Sequence, residues 1–174
     1  MKDNFKQERV NLAAAFRWAA RLNMHEAVAN HFSLAVSDDG SKFLLNPIGM
    51  HFSQICASDL LVIDSKNAET MSQPNAPDAT AWAIHGAMHR NNLHARCILH
   101  VHPKYATILA CLEDKVMKPI DQNTMRFYEK VSIDYDYDGM GVGDEAERLC
   151  TILGDNSVLL MGNHGVLTAA DSVA

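Results

Sequence analysis

The sequence has 174 residues, of which 48% are hydrophobic, and a formal net charge of −6 at pH 7. This length and apolar content predict one compact domain over residues 1–174. The negative charge, with no basic face, argues against binding to nucleic acid or anionic membranes, and no apolar run approaches the ~20 residues of a membrane-spanning helix. The polar amino terminus lacks the pattern of a secretory signal, so we expect a cytoplasmic protein with reduced core cysteines.

The first part of the chain predicts a helix, a hairpin and a strand. Apolar residues at helical spacing, without Gly or Pro, predict an amphipathic helix over residues 4–22. Over residues 32–45 apolar and polar residues alternate on both sides of the pair Asp39-Gly40, which predicts a hairpin with its turn there. The apolar run at residues 60–64 predicts a further buried strand.

The middle of the chain predicts two helices around a β-rich segment. Asp78 or Thr80 could cap a helix that runs to about Asn91. Residues 97–101 favour a strand that stops before Pro103, and residues 105–112 favour a helix.

The last part of the chain predicts two more strands and a helix. Residues 131–137 and 158–161 favour strands, and residues 144–153 favour a helix. Residues 166–174 have the pattern of a strand-to-helix transition, so we expect that a carboxy-terminal part of the domain is missing. Helices that alternate with strands in this way predict an α/β (α+β layered) domain around a central sheet.

Histidines at the ends of two predicted strands indicate a metal site. His100 and His102 are two residues apart on a strand, so their side chains project from the same face. His164 lies in a glycine-flanked loop after the next strongly apolar strand, and a sheet could bring the two strand ends together. Catalytic zinc sites commonly take three protein ligands and leave a position for water or substrate.

Chance pairing or packing could also account for the histidines. Nine histidines in 174 residues make chance pairs plausible. His85 and His89 share a helix face and could also bind metal, but packing or surface hydrogen bonding is the favoured interpretation. The residues between them lack the glutamate of a metalloprotease HExxH motif.

Motifs along nearly the whole chain resemble the class II aldolase and adducin amino-terminal domain family. The most specific are His100-Val101-His102-Pro103 and Gly162-Asn163-His164-Gly165. Four further segments match in order: Ala29-Asn30-His31-Phe32-Ser33, Leu45-Asn46-Pro47-Ile48-Gly49, Ala57-Ser58-Asp59-Leu60-Leu61-Val62 and Ile84-His85-Gly86-Ala87-Met88-His89-Arg90.

The resemblance implies a fold, an assembly and a ligand set. The implied fold is a central, mainly antiparallel sheet flanked by helices, and the implied assembly is a ring-shaped homotetramer with active sites between subunits. His100, His102 and His164 match the zinc ligands of catalytic members, although Fe²⁺ or Mn²⁺ would also suit such a site. Asn30, Gly49 and Thr80 are the candidate substrate-binding residues.

One departure from the family pattern concerns Ala81. Catalytic members carry a glutamate at this position, four residues before the match to His85, where it serves as metal ligand and acid/base. Alanine can do neither, and Ala79 and Thr80 stand where serines often help to bind phosphate. The pattern is closer to the adducin-like branch of the family.

We expect a metal-dependent lyase-type enzyme that acts on a small hydroxy-carbonyl or sugar-phosphate-like substrate by aldol cleavage, decarboxylation or epimerisation. Tyr105 and Asp78 are the candidates for proton transfer, although packing would equally explain Tyr105 and helix capping Asp78. One alternative is a non-catalytic, adducin-like assembly or interaction module with a vestigial or structural metal site. Another is an Fe(II)-dependent oxidative decarboxylase.

Overall fold

The computed structural model describes residues 5–136 and 144–174, which form a seven-stranded sheet flanked by helices. The helices are α1 (Lys6–Arg21), α2 (Ala79–Asn91), α3 (Lys104–Cys111), α4 (Gln122–Met125) and α5 (Asp144–Leu153), with a 3-10 turn at Ala68–Ser72. The strands are β1 (His31–Ala35), β2 (Lys42–Leu45), β3 (Leu61–Asp64), β4 (Cys97–Val101), β5 (Val131–Asp134), β6 (Val158–Met161) and β7 (Gly165–Ala170).

The sheet has the strand order β3-β2-β1-β4-β7-β6-β5. Neighbouring strands pair antiparallel except β5 and β6, which are parallel. The mainly antiparallel layered architecture is therefore confirmed. The predicted hairpin is β1 and β2, and the strand expected over residues 131–137 ends at Asp134, with Tyr137 outside the described residues. The four residues of α4 were not predicted, because so short a segment carries no periodic signal.

The two central strands, β1 and β4, are buried on both faces of the sheet. Phe32 and Leu34 of β1 pack with Phe16 of α1 on one face. The alternate residues of β1, His31 and Ser33, hydrogen-bond to side chains of α2 on the other face. Because successive side chains of a strand point to opposite faces, the helices α1 and α2 lie on opposite sides of the sheet.

The cysteines divide between the core and the surface. Cys97 and Cys150 are buried, and burial raises the pKa of the Cys97 thiol to about 12. Cys56 and Cys111 are exposed, so the expectation of core thiols was wrong for these two; all four are free. Across the described residues, no helix is long and apolar enough to cross a membrane.

Gly40, in the turn of the β1–β2 hairpin, packs closely against the carboxyl end of α2. Its φ is 67°, and a Cβ at this position would lie 1.9 Å from the carbonyl oxygen of His89. Gly154 also has a positive φ, 53°, but the nearest atom to a Cβ there is 3.8 Å away. The two glycines thus share a left-handed backbone and differ in the space around it.

Replacing Gly40 by Ala should therefore lower the free energy of unfolding by more than about 2 kcal/mol, because the backbone strain adds to a steric clash. The matched Gly154→Ala change should cost about 1 kcal/mol, because it brings the backbone strain alone. Urea denaturation of the two variants measures both values. Equal losses would show that the approach of Gly40 to α2 does not constrain the fold.

Candidate metal centre

Three histidines, two from the end of β4 and one from the turn between β6 and β7, meet at one end of the sheet. His100 lies in β4, His102 lies just beyond its end, and His164 lies in the turn between β6 and β7. Val166 of β7 pairs with Val101 of β4, which brings this turn to the end of β4. One ligand atom from each of the three histidines lies within 4.8 Å of the others.

The turn that carries His164 depends on the two glycines that flank it. A Cβ on Gly162 would lie 2.5 Å from the carbonyl oxygen of Asp134. A Cβ on Gly165 would lie 2.5 Å from Cδ2 of His102. Glycine is therefore needed at both positions for the close approach that the sequence predicted.

Hydrogen bonds outside the cluster fix the ring protons of His100 and His102. The Nδ1 of His100 lies 3.2 Å from the carbonyl oxygen of Val166, and the Nδ1 of His102 lies 2.5 Å from Oε2 of Glu26. These oxygens can only accept, so each Nδ1 carries a proton, and in the neutral form of each ring Nε2 is the acceptor. The two Nε2 atoms are 2.9 Å apart, and their lone pairs repel unless a proton or a metal cation intervenes.

Burial keeps two of these rings neutral. Desolvation, followed by neighbouring histidines, lowers the pKa of His100 well below its ordinary value and that of His164 to about 4. The neutral imidazole is the form that binds zinc and similar divalent ions. The donor set thus fits such an ion, and it is the one cluster of three or more metal-binding side chains that the described ranges contain.

The three histidines line a cleft of about 350 Å³. Asp78 and Thr80, at the start of α2, also line it. The other lining side chains come from the loops before β1 and β3, from β1 itself and from α2: Val28, Ala29, His31, Ile48 and Ile84.

Asp78 is the amino-terminal cap of α2. Its Oδ1 accepts hydrogen bonds from the backbone and hydroxyl of Thr80 and from the backbone of Ala81. Burial raises the pKa of Asp78, but these hydrogen bonds and the nearby His31 outweigh it, so the pKa lies below its ordinary value. The side chain is therefore a carboxylate at neutral pH.

The remaining predicted residues lie outside the set that lines the cleft. Asn30 is buried next to His31, where its Oδ1 accepts a hydrogen bond from the Glu26 backbone at 2.6 Å. Gly49 has a φ of 75° in the loop after β2, next to Ile48. The Tyr105 side chain is 80% exposed on α3. Their substrate-binding and catalytic roles stay predictions.

Behind the cleft lies a buried histidine chain, defined here as His31, His85, Ser33 and His89. The Nδ1 of His31 is 2.6 Å from Nε2 of His85, and Ser33 Oγ contacts both Nδ1 of His85 and Nε2 of His89, the latter at 2.7 Å. The Nδ1 of His89 lies 2.6 Å from the carbonyl oxygen of Ala95. His85 and His89 are thus both hydrogen-bonded, and they are buried rather than on the surface.

Sequence reasoning missed the connection of these residues to the cleft. The i, i+2 spacing of His31 and Ser33 and the i, i+4 spacing of His85 and His89 show that each pair shares a face. Neither spacing tells which helix face meets which strand face. Glu26, which hydrogen-bonds His102, carried no motif of its own.

The family described as Class II Aldolase and Adducin N-terminal domain matches residues 10–174. The chain belongs to this family. The protein named "Putative aldolase class 2 protein" from Pseudomonas aeruginosa is 30% identical over 169 residues, which cover 97% of this chain and 64% of that protein. An adducin-related protein of Schizosaccharomyces pombe is 29% identical over 173 residues, which cover 95% of this chain and 52% of that protein.

The fold of the family is seen in a crystal structure of an aldolase II superfamily protein from Pseudomonas syringae. It matches with a TM-score of 0.88 and 30% identity, over 99% of this chain and 70% of that one. The chain therefore has the class II aldolase fold. It spans about half to two thirds of the length of the two relatives named above.

Within this class II aldolase fold, Ala81 is part of the core. It is 1% exposed and packs with Phe43, Leu45 and Ile63. Position 81, where the family resemblance implies a glutamate in catalytic members, thus contributes an apolar contact between α2 and the sheet. Any proton transfer in this chain needs a different group.

The buried histidine chain gives a test of the structure by pH. Burial lowers the pKa of His89 to about 4 and that of His85 well below its ordinary value of 6.5. Between pH 6.5 and about 4 the unfolded chain therefore binds protons that the folded chain does not. The free energy of unfolding should fall with decreasing pH in this window, by up to about 1.4 kcal/mol per pH unit for each histidine.

Urea denaturation at several pH values between 7.5 and 5, with a chelator present, measures this slope. The His89→Phe variant should lose up to about 1.4 kcal/mol per pH unit of it, because one buried titrating ring is gone. A slope that is the same in wild type and variant would contradict the neutral, buried state of His89.

Proposed function

We propose that His100, His102 and His164 bind one divalent metal ion, zinc by preference, and that the chain is a metal-dependent lyase. Its substrate would be a small hydroxy-carbonyl or sugar-phosphate-like compound, which it cleaves, decarboxylates or epimerises. The observation that carries this proposal is the pair of Nε2 atoms 2.9 Å apart, each ring oriented from outside by a hydrogen bond at Nδ1.

A bound divalent ion would supply Lewis acidity toward a carbonyl oxygen of the substrate. The chain's own groups would bind and orient the rest of the molecule. Thr80 lies in the cleft at the amino terminus of α2, where the helix dipole favours an anionic group such as phosphate or carboxylate. Asp78 is a carboxylate in the same cleft and can accept a proton or a hydrogen bond.

Tyr105 would serve proton transfer only across a subunit boundary. Its side chain is 80% exposed and does not line the cleft of its own subunit. The homotetramer with active sites between subunits, which the family resemblance implies, would give it a route to a neighbouring cleft.

A second candidate function is a non-catalytic, adducin-like assembly module in which the same histidines hold a structural ion. The observation that favours it is Ala81, buried among Phe43, Leu45 and Ile63 where catalytic members carry a carboxylate. The two functions share a metal site and differ in turnover.

The metal site is tested by elemental analysis of protein purified without added metal. Wild type should hold about one ion per chain, and the His100→Ala/His102→Ala double variant should hold none, because two of three ligands are gone. His94→Ala is the matched control, since His94 lies near Asn156, away from the cleft, and this variant should keep its metal.

Equal metal content in the double variant and the wild type would refute the site. Iron in place of zinc would move the chemistry to oxidative decarboxylation, which oxygen uptake would detect.

Turnover separates the two candidate functions. Metal-loaded wild type should convert at least one member of a panel of ketose phosphates and hydroxy-carbonyl acids, with products followed by NMR. The His164→Ala variant should lose at least about 10²-fold in rate, whereas His94→Ala should retain the wild-type rate. Stoichiometric metal without turnover of any panel member would favour the assembly module.

A further inference from the structure

The buried histidine chain has a fixed direction of hydrogen bonding, because it ends on a backbone carbonyl. The carbonyl oxygen of Ala95 can only accept, so the Nδ1 of His89 carries a proton. The neutral ring of His89 then has a bare Nε2, and Ser33 must donate its single hydroxyl hydrogen to it. Toward His85, the Ser33 oxygen is left as an acceptor.

The same rule of one donor and one acceptor determines the tautomers of His85 and His31. His85 donates from Nδ1 to Ser33, so its neutral ring presents a bare Nε2 to His31. His31 must therefore donate from Nδ1, and its own Nε2 is left with a lone pair. Burial lowers the pKa of His31 to about 4, which agrees with a neutral ring.

His31 stands beside the three candidate ligands and not among them. It pairs with His100 across β1 and β4, and the two ring centroids are 4.8 Å apart. His31 lines the cleft, yet its nitrogens do not join the cluster formed by His100, His102 and His164. The hydrogen bond between His31 and His85 is made by Nδ1 of His31, on the other side of the ring from Nε2.

We propose that His31 is a substrate-binding residue whose Nε2 accepts a hydrogen bond from a hydroxyl group of the substrate. His85, Ser33 and His89 are positioning residues that hold His31 in the tautomer this requires. The choice of a hydroxyl-bearing substrate rests on the proposed function, whereas the tautomer follows from the hydrogen bonds alone. The role suits a cleft in which the position of the family's glutamate is apolar Ala81.

The tautomer is tested by ¹⁵N NMR of histidine-labelled protein at neutral pH, with and without zinc. His31 should be protonated at Nδ1 and bare at Nε2 in metal-free protein, and zinc should leave the Nε2 signal outside the coordinated range. In Ser33→Ala, which lacks the hydroxyl that links His85 to His89, His31 should populate both tautomers. A proton on Nε2 in wild type, or direct zinc coordination there, would overturn the proposal.

The hydroxyl preference is tested with glycolate and acetate, which differ by one hydroxyl group, titrated into zinc-loaded protein. Glycolate should bind more tightly than acetate, and His31→Phe should reduce that preference by about three- to tenfold, because one hydrogen bond is lost. His31→Gln keeps an amide donor for His85 and a carbonyl acceptor for the hydroxyl, so it should retain most of the preference.

An undiminished preference in a folded His31→Phe variant would refute the role of His31. The NMR measurement and the ligand titration also separate this proposal from the proposed function. If the protein bound no metal, the proposed function would fail, and the tautomer of His31 in metal-free protein would still decide the hydrogen-bond argument.

Discussion

The protons of the candidate site are placed by oxygens that can only accept hydrogen bonds. Three such oxygens each accept a hydrogen bond from a histidine Nδ1: the carbonyl oxygens of Ala95 and Val166 and a carboxylate oxygen of Glu26. The contact at Ala95 also determines the tautomers of His85 and His31 further along the chain of hydrogen bonds, because a neutral imidazole has one donor and one acceptor. In the neutral form of these rings, Nδ1 is thus the donor and Nε2 the acceptor.

This arrangement of protons depends on the burial of the two central strands, β1 and β4, between helices. β1 and β4 are covered by α1 on one face and by α2 on the other, so His31, His85 and His100 are buried. Desolvation keeps their rings neutral, and buried neutral polar groups are tolerable only when they are hydrogen-bonded. The chain of contacts from His31 to Ala95 supplies those bonds. The same packing that stabilises the fold thus sets the chemistry of the cleft.

Much of the fold and the core of the site could be predicted from the sequence, because both rest on local periodicity. The i, i+2 spacing of His100 and His102 is enough to place both imidazoles on one side of a strand. His164 was predicted from its loop and from the family resemblance, and the pairing of β4 with β7 accounts for its position. The contacts of His31 and Ser33 with α2 span more than 50 residues of sequence, and no local pattern specifies them.

The charge of the cleft follows from the same neutral rings. Three uncharged imidazoles would leave the two positive charges of a bound ion uncompensated by their ligands, and Glu26 reaches only the outer side of His102. With Ala81 in the apolar core, position 81 adds no negative charge to the cleft. The amino terminus of α2 adds a further positive potential there, which Asp78 partly offsets as its cap. The proposed preference for an anionic hydroxy-carbonyl substrate rests on this charge, because the negative charge of such a substrate would offset that of a bound ion.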